Sequence, residues 1–293
     1  MTAPMGRGHV VQRTVIALDG SPRLPGFLAQ RSARGFEVFD AVDNRAGQFT
    51  HLFDVERFQQ RFGREPRPGE IGCTLSHLAV LRAFCEMPGG DGDFLLVTED
   101  DARFVDDFHE VVERVGRRVT GPSMVVLADP YGPPGRRDRS WRSASEHFVQ
   151  LSVMAASFPR RGPRQNVRVG RWSRGLAGAS AYLVTRSAAT RIIRCLDGEF
   201  DGRPWWVADF HGFYRDHVGV DVLAVRPNLA GWEGESSIQD GDHQAWRDGQ
   251  QEPGRPTLRR LLTVYARRLT MKAASTKFDV QWRRRHRRMP LTS

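Results

Sequence analysis

The chain has 293 residues, 40% of them hydrophobic and 27% charged, and a net charge of +10. That is length for one large α/β domain or two small ones with a true core. No stretch approaches the roughly 18 consecutive apolar residues of a membrane-spanning helix. The opening MTAPMGRGHVVQRTVIALDG lacks the long apolar core of a secretory signal, so a soluble or peripheral protein is expected. Cys73, Cys85 and Cys195 are odd in number and lack metal-ligand spacing, which points to a reduced, cytoplasmic setting. The charge is uneven. Residues 257–293 hold eleven Lys/Arg against Asp279, which accounts for the whole excess, while 132–174 holds ten Arg against Asp138 and Glu146.

In chain order, Thr14 to Leu18 is apolar and β-branched, and predicts a strand ending at the turn signal Asp19-Gly20-Ser21-Pro22. A helix over 24–34 follows, then GFEVFDAVD, whose alternation suits a second strand with Asp40 and Asp43 at its end. A polar helical stretch runs through Phe53, Phe58 and Phe62 until Pro66 and Pro68 interrupt it. GEIGCTLSHLAVLRAFCEM then places Leu75, Leu78, Leu81 or Arg82, and Cys85 at helical spacing. FLLVTEDD predicts a buried strand, 108–115 a helix, and PSMVVLAD a strand ending at Asp129. The Pro/Gly/Arg-rich 132–145 predicts a long loop. HFVQLSVMAASF and GLAGASAYLVT suit strands, SAATRIIRCL a helix, and DVLAVRPNLAGW a last strand that leaves the core at Pro227. This alternation implies an open α/β sheet with its ligand at the strands' carboxyl edge.

FLLVTEDD carries the clearest chemistry. Three carboxylates, Glu99, Asp100 and Asp101, close a buried strand, where like charges repel and desolvation raises the cost. A divalent cation would neutralise them, and hard oxygen ligands suit Mn²⁺ or Mg²⁺. Such an ion fits a diphosphate-bearing substrate. Successive strand residues face opposite ways, so Glu99 and Asp101 can share a face while Asp100 bonds elsewhere. A second reading makes the acids the N-terminal cap of a following helix.

PGEIGCTLSHLAVLRAF followed by LLVTEDDARF resembles glycosyltransferase family 25, the lipooligosaccharide and collagen-type galactosyltransferases, in which a G-x-I-G-C-x-L-S-H segment precedes an L-E-D-D segment. VIALDGSPRL, FDAVDN, GASAYLVTRSAATRII and WWVADFHGFYRDHVGVDVLAVRPNLA are similar to further elements of the family. The resemblance implies a GT-A-like transferase domain over 13–240, leaving 241–293 as a basic extension. It implies a nucleotide-sugar donor, most often UDP-galactose, with Mn²⁺ and inversion at the anomeric carbon. The acceptor would be a cell-envelope glycan or lipid-linked saccharide. On this reading Asp101 is the first choice of metal ligand, with Glu99 and Asp100 beside it and His211 or His243 as a candidate third ligand.

Asp209, at the family's "VD" position, would be the general base that inversion requires, or else a helix N-cap. Leu18, Asp19, Arg23, Asp43, Ser76 and His77 would line the donor pocket. For Asp43 an Asx-turn is the alternative. For Ser76 and His77 it is a buried polar pair holding their helix against the EDD strand. Asp129, Trp205 and Trp206 would meet the acceptor, the tryptophans by stacking on a sugar or else by packing in the core. Gly178, Ala179 and Ser180 leave room for a close substrate approach.

The tail puts Leu258, Leu261 or Leu262, Tyr265 and Leu269 on one stripe with Arg259, Arg260, Arg267 and Arg268 off it. That pattern suggests a peripheral location at an anionic membrane surface, the inner face of the cell membrane; a nucleic-acid role is the weaker reading. The competing functional readings keep the fold with a nucleic-acid, protein or small-molecule acceptor, or make the chain a degenerate binding protein.

Overall fold

The computed structural model describes residues 9–128, 151–159, 166–172, 176 and 178–232. Asp129, His243, the extension 241–293 and most of the Arg-rich 132–174 lie outside these residues.

The centre of the fold follows from Phe94–Val97, four apolar side chains with no exposed surface. A strand of this kind is covered on both faces, and each such side chain contributes about 1.5–3 kcal/mol by leaving water. It belongs to β3 (Phe94–Glu99) of a mixed sheet. The other strands of that sheet are β1 (Val10–Ala17), β2 (Glu37–Asp40), β5 (Ser123–Val126), β6 (Leu151–Pro159), β7 (Asn166–Trp172), β8 (Ala181–Thr185) and β9 (Asp221–Arg226). Among the described residues the order is β2-β1-β3-β8-β5-β9-β7-β6. β2, β1 and β3 run parallel, and β5 pairs parallel with β9. β8 runs antiparallel between β3 and β5, with Thr98 opposite Ala181 and Val126 opposite Tyr182. The ends of β1, β2, β3 and β5 and the start of β8 therefore share one edge.

The period-2 alternation sorts the strands' side chains. Leu95, Val97, Tyr182 and Val184 face α3 (Pro68–Glu86), α5 (Arg186–Glu199) and α6 (His211–Asp216). Leu96, Val125, Leu183 and Val225 face α4 (Phe108–Gly116). Helices cover both faces, which is the layered α/β architecture the alternation implied. α5 is capped at its start by Thr185, whose hydroxyl accepts from Ala188 N at 3.2 Å. The α3 end is closed by buried Arg186, whose Nη1 donates to the carbonyls of Phe84 and Met87. A cation there satisfies orphan carbonyls and meets the negative end of the helix dipole.

Three local differences from the sequence reading have physical causes. The helix expected over 24–34 is α1 (Leu24–Leu28) followed by a separate 3₁₀ turn at Arg31–Ala33. Gln30 leaves helical geometry, and its side chain donates to Ala102 O at 2.8 Å and accepts from Phe104 N at 2.9 Å. The last expected strand ends before Pro227 as expected, since proline has no N–H to give a ladder, but the chain does not leave the core there: Leu229 and Ala230 have no exposed surface. Beyond it, β10 (Ala230–Trp232) pairs antiparallel with β4 (Ala102–Phe104) in a small second sheet. The polar stretch through Phe53 and Phe58 is helical only over α2 (Val55–Phe62), started by Asp54, which accepts from Arg57 N at 3.0 Å. No helix among the described residues is long and apolar enough to cross a membrane.

Candidate active site

Helix α3 organises the edge. Gly72 lies so close to the loop after β2 that a Cβ there would stand 2.6 Å from Val42 O, and one turn on Ser76 accepts from Val42 N at 2.8 Å while donating to Gly72 O at 2.7 Å. Thr74 Oγ1 accepts from Ala208 N at 3.1 Å, fixing the segment that carries Asp209. Cys73 and His77, four residues apart and so on one helix face, both address Glu99. The Cys73 thiol donates to Glu99 Oε1 at 3.5 Å, and His77 Nε2 meets the same oxygen at 3.2 Å. His77 Nδ1 pairs with the Tyr182 hydroxyl at 3.0 Å.

The three acids of the EDD segment have different surroundings. Asp100 is 2% exposed and turns away from α3. It accepts from the Ser21 hydroxyl and forms an ion pair with Arg23 at 2.9 Å. Burial raises the Glu99 carboxyl, but His77 and the Cys73 bond outweigh it and hold the group below the usual carboxylate range. Asp101 has no such help. Burial, then the charge of Glu99, pushes it up to about 7, with Asp100 adding to the rise and Arg23 opposing it. Its Oδ1 is buried and has no hydrogen-bond partner. The segment after Asp101 is strand β4, so the acids do not cap a helix.

Asp209 joins the same cluster. Burial, followed by the charges of Glu99, Asp209 and Asp101, holds the Cys73 thiol well above the ordinary thiol range, so one half-buried cysteine feels all three carboxylates. Asp209 Oδ2 accepts from Gly178 N at 2.9 Å, and His211 Nε2 donates to Gly178 O at 3.1 Å. Gly178, at φ +85°, is thus held on both sides at the entry to β8. The N-cap alternative for Asp209 does not hold, since the residue preceding α6 is Phe210 and Asp209 Oδ2 accepts from Gly178 N rather than from a helix N–H. Burial lowers the His211 imidazole, and its Nδ1 is buried without a partner.

The remaining expected residues fall as follows. The Leu18–Asp19 turn is closed by Ser21 N donating to Leu18 O at 3.0 Å, with Asp19 exposed at the end of β1. Arg23 serves Asp100. Asp43 forms the Asx-turn, accepting from Arg45 N at 3.1 Å and pairing with the Arg45 guanidinium. Ser76 is 1% exposed with both bonds internal, so it acts as a staple between α3 and the β2 loop. Trp206 is a correction. It has no exposed surface, stacks on Phe213 at 4.2 Å and donates to the Tyr214 hydroxyl at 3.2 Å, so neither ring face is open to a sugar. Trp205 stays partly exposed, edge-on to Trp206 and Phe213. Asp129 is outside the described residues.

Sequence reasoning passed over Cys73, Thr74, Ser21 and Tyr182. Two signals were available. The four-residue spacing of Cys73 and His77 gives them one neighbour, and a tyrosine in a buried strand needs a partner for its hydroxyl.

Ligand groups gathered at the carboxyl edge of an open α/β sheet mark a ligand-binding α/β enzyme. The sequence profile described as glycosyltransferase family 25 (LPS biosynthesis protein) matches residues 12–199. The chain belongs to this family and is a glycosyltransferase of lipopolysaccharide biosynthesis. No curated protein matches it. Among solved structures, the inositol-1-phosphate CTP transferase from T. maritima is similar at 10% identity and a TM-score of 0.35, over 85% of this chain and 99% of that one. Mouse xyloside xylosyltransferase 1, apo form, is similar at 10% identity and a TM-score of 0.29, over 78% and 99% of the two chains. Likenesses of that size carry no argument about the site.

Proposed function

We propose that the chain is a metal-dependent, inverting transferase of GT-A-like type. It moves galactose or a similar hexose from a UDP-sugar to a cell-envelope glycan or lipid-linked saccharide at the inner face of the cell membrane. The observation that carries this reading is the buried, partnerless Oδ1 of Asp101 beside Glu99. A buried carboxylate oxygen without a donor is costly, and a cation would satisfy it. The two carboxylates fit a hard divalent ion, Mn²⁺ or Mg²⁺, with Cys73 and His77 engaged on Glu99 as hydrogen-bond partners rather than as ligands. Glu99 and Asp101 would hold it, and it would supply positive charge against a departing diphosphate.

The chain's own groups do the rest. Cys73 and His77 orient Glu99 through its Oε1. Asp100, paired with Arg23 and Ser21, ties the turn after β1 to the end of β3, so the donor-side turn at Leu18 and Asp19 moves with the carboxylates. Asp209 is the general base for the acceptor hydroxyl; Gly178 takes one of its oxygens and leaves the other for the incoming proton. Trp205 remains the candidate acceptor contact.

The test is turnover of a panel of UDP-, GDP- and CMP-sugars by the full chain, with Mn²⁺ and with a chelator. A UDP-sugar should be consumed only with metal, and Asp101→Asn should lose at least about a hundredfold in turnover with unchanged circular dichroism, the loss expected when an electrostatic contact to the developing charge is removed. Full activity in Asp101→Asn, or turnover indifferent to the chelator, would sink the metal assignment.

A further inference from the structure

A second group of ligand-type side chains shares no residue with the carboxylate edge. Cys195 and Glu199 sit four apart on the last turns of α5, on one helix face. His217 follows α6 directly. The thiol, carboxylate and imidazole ligand atoms all lie within 4.8 Å of one another, and His217 Nε2 already meets Glu199 Oε2 at 2.8 Å. The imidazole is fixed in advance: its ring stacks on Phe213 at 4.9 Å and 15° and packs against Phe200 at 5.8 Å. Cys195 is 8% exposed, whereas the Glu199 and His217 side chains are 55% and 46% exposed. The group therefore has a buried anchor and two arms at the surface.

We propose that Cys195, Glu199 and His217 form a surface site for a zinc-class divalent ion, distinct from the Mn²⁺ or Mg²⁺ of the carboxylate edge. A mixed sulfur, nitrogen and oxygen set suits Zn²⁺ and its borderline neighbours and is poorly matched to hard ions. Binding forms one metal–sulfur bond and releases the thiol proton to solvent. The Glu199–His217 hydrogen bond breaks as both lone pairs turn to the ion, and the imidazole proton moves to Nδ1. Water fills the remaining position on the exposed side. The ion would tie the end of α5 to the end of α6, and these two ends bracket residues 200–216, which include Asp209 and α6 itself.

The test is a Co²⁺ titration of the metal-free full chain followed by displacement with Zn²⁺. Wild type and Cys73→Ser should develop a near-ultraviolet thiolate charge-transfer band that saturates at one equivalent and disappears with Zn²⁺. Cys195→Ser should lack the band. His217→Ala, at an exposed position outside the core, should weaken binding at least about tenfold, in line with what loss of metal-site support costs. A wild-type protein without the thiolate band would overturn the site. So would a band that survives Cys195→Ser, or one that Cys73→Ser abolishes, since the ion would then sit on the carboxylate edge.

Discussion

His211 is buried and Asp101 half-buried, and their ionisation opposes the fold in opposite pH directions. Burial holds the folded His211 imidazole below its ordinary range, so it stays neutral where an unfolded one, near about 6.5, begins to take a proton. Below that point the unfolded chain binds more protons, and stability falls as pH falls. Asp101, pushed up to about 7, acts oppositely. Between an unfolded value of about 3.9 and the folded one, the native state binds the extra proton, and acidification stabilises it. The comparison with His211→Gln separates the two, because glutamine keeps an N–H for Gly178 O but does not titrate. Urea midpoints measured from about pH 7.5 down to about pH 5.5 should fall more steeply in wild type than in the variant. Parallel profiles would mean that His211 is protonated in the native protein.

At the scale of elements, α3 sets the spacing of the site. Its Gly72, Cys73, Thr74, Ser76 and His77 fall within two turns and hold the β2 loop, Glu99 and the Asp209 segment together. Gly72→Ala should force the helix away from Val42 O, which a Cβ would approach to 2.6 Å, and backbone offers no flexible side chain to yield. An overpacking cost of about 1–3 kcal/mol is expected, together with weaker donor binding because the β2 loop shifts; denaturant midpoints and donor calorimetry read the two. Unchanged values for both would show that the loop yields freely.

Much of this was legible beforehand. Phe94–Val97 and the helical spacing of Leu78 and Leu81 are set by burial, which composition records, and the EDD cluster announced itself by the cost of its charges. What could not be read were pairings between distant segments. Asp100 with Arg23, Thr74 with Ala208 and Tyr182 with His77 depend on which strands become neighbours, and no local pattern encodes that. Trp206 failed for a related reason: an aromatic ring suits a sugar face and a core equally well, and only the packing of Phe200 and Phe213 around it decides.

Over the whole molecule, the charge is segregated along the sequence. Residues 1–256 are electrically neutral on balance, and the net +10 belongs to 257–293. Deleting 257–293 should therefore reduce cosedimentation with anionic vesicles and remove its salt dependence while leaving donor hydrolysis intact. Sedimentation that does not change would assign membrane contact, if any, to the transferase domain.

The placement of β8 also bears on how the protein is made. The strand at the middle of the sheet, between β3 and β5, is contributed by residues 181–185, long after both neighbours have left the ribosome. Until then the nascent chain carries two apolar strands with open ladders, the kind of edge that recruits other chains. The carboxylate cluster cannot close either, since Tyr182, Gly178 and Asp209 arrive together with that late strand or after it. Closure of the sheet and of the cluster thus waits for residues 178–209, and a chain terminated before them would be both inactive and prone to aggregate.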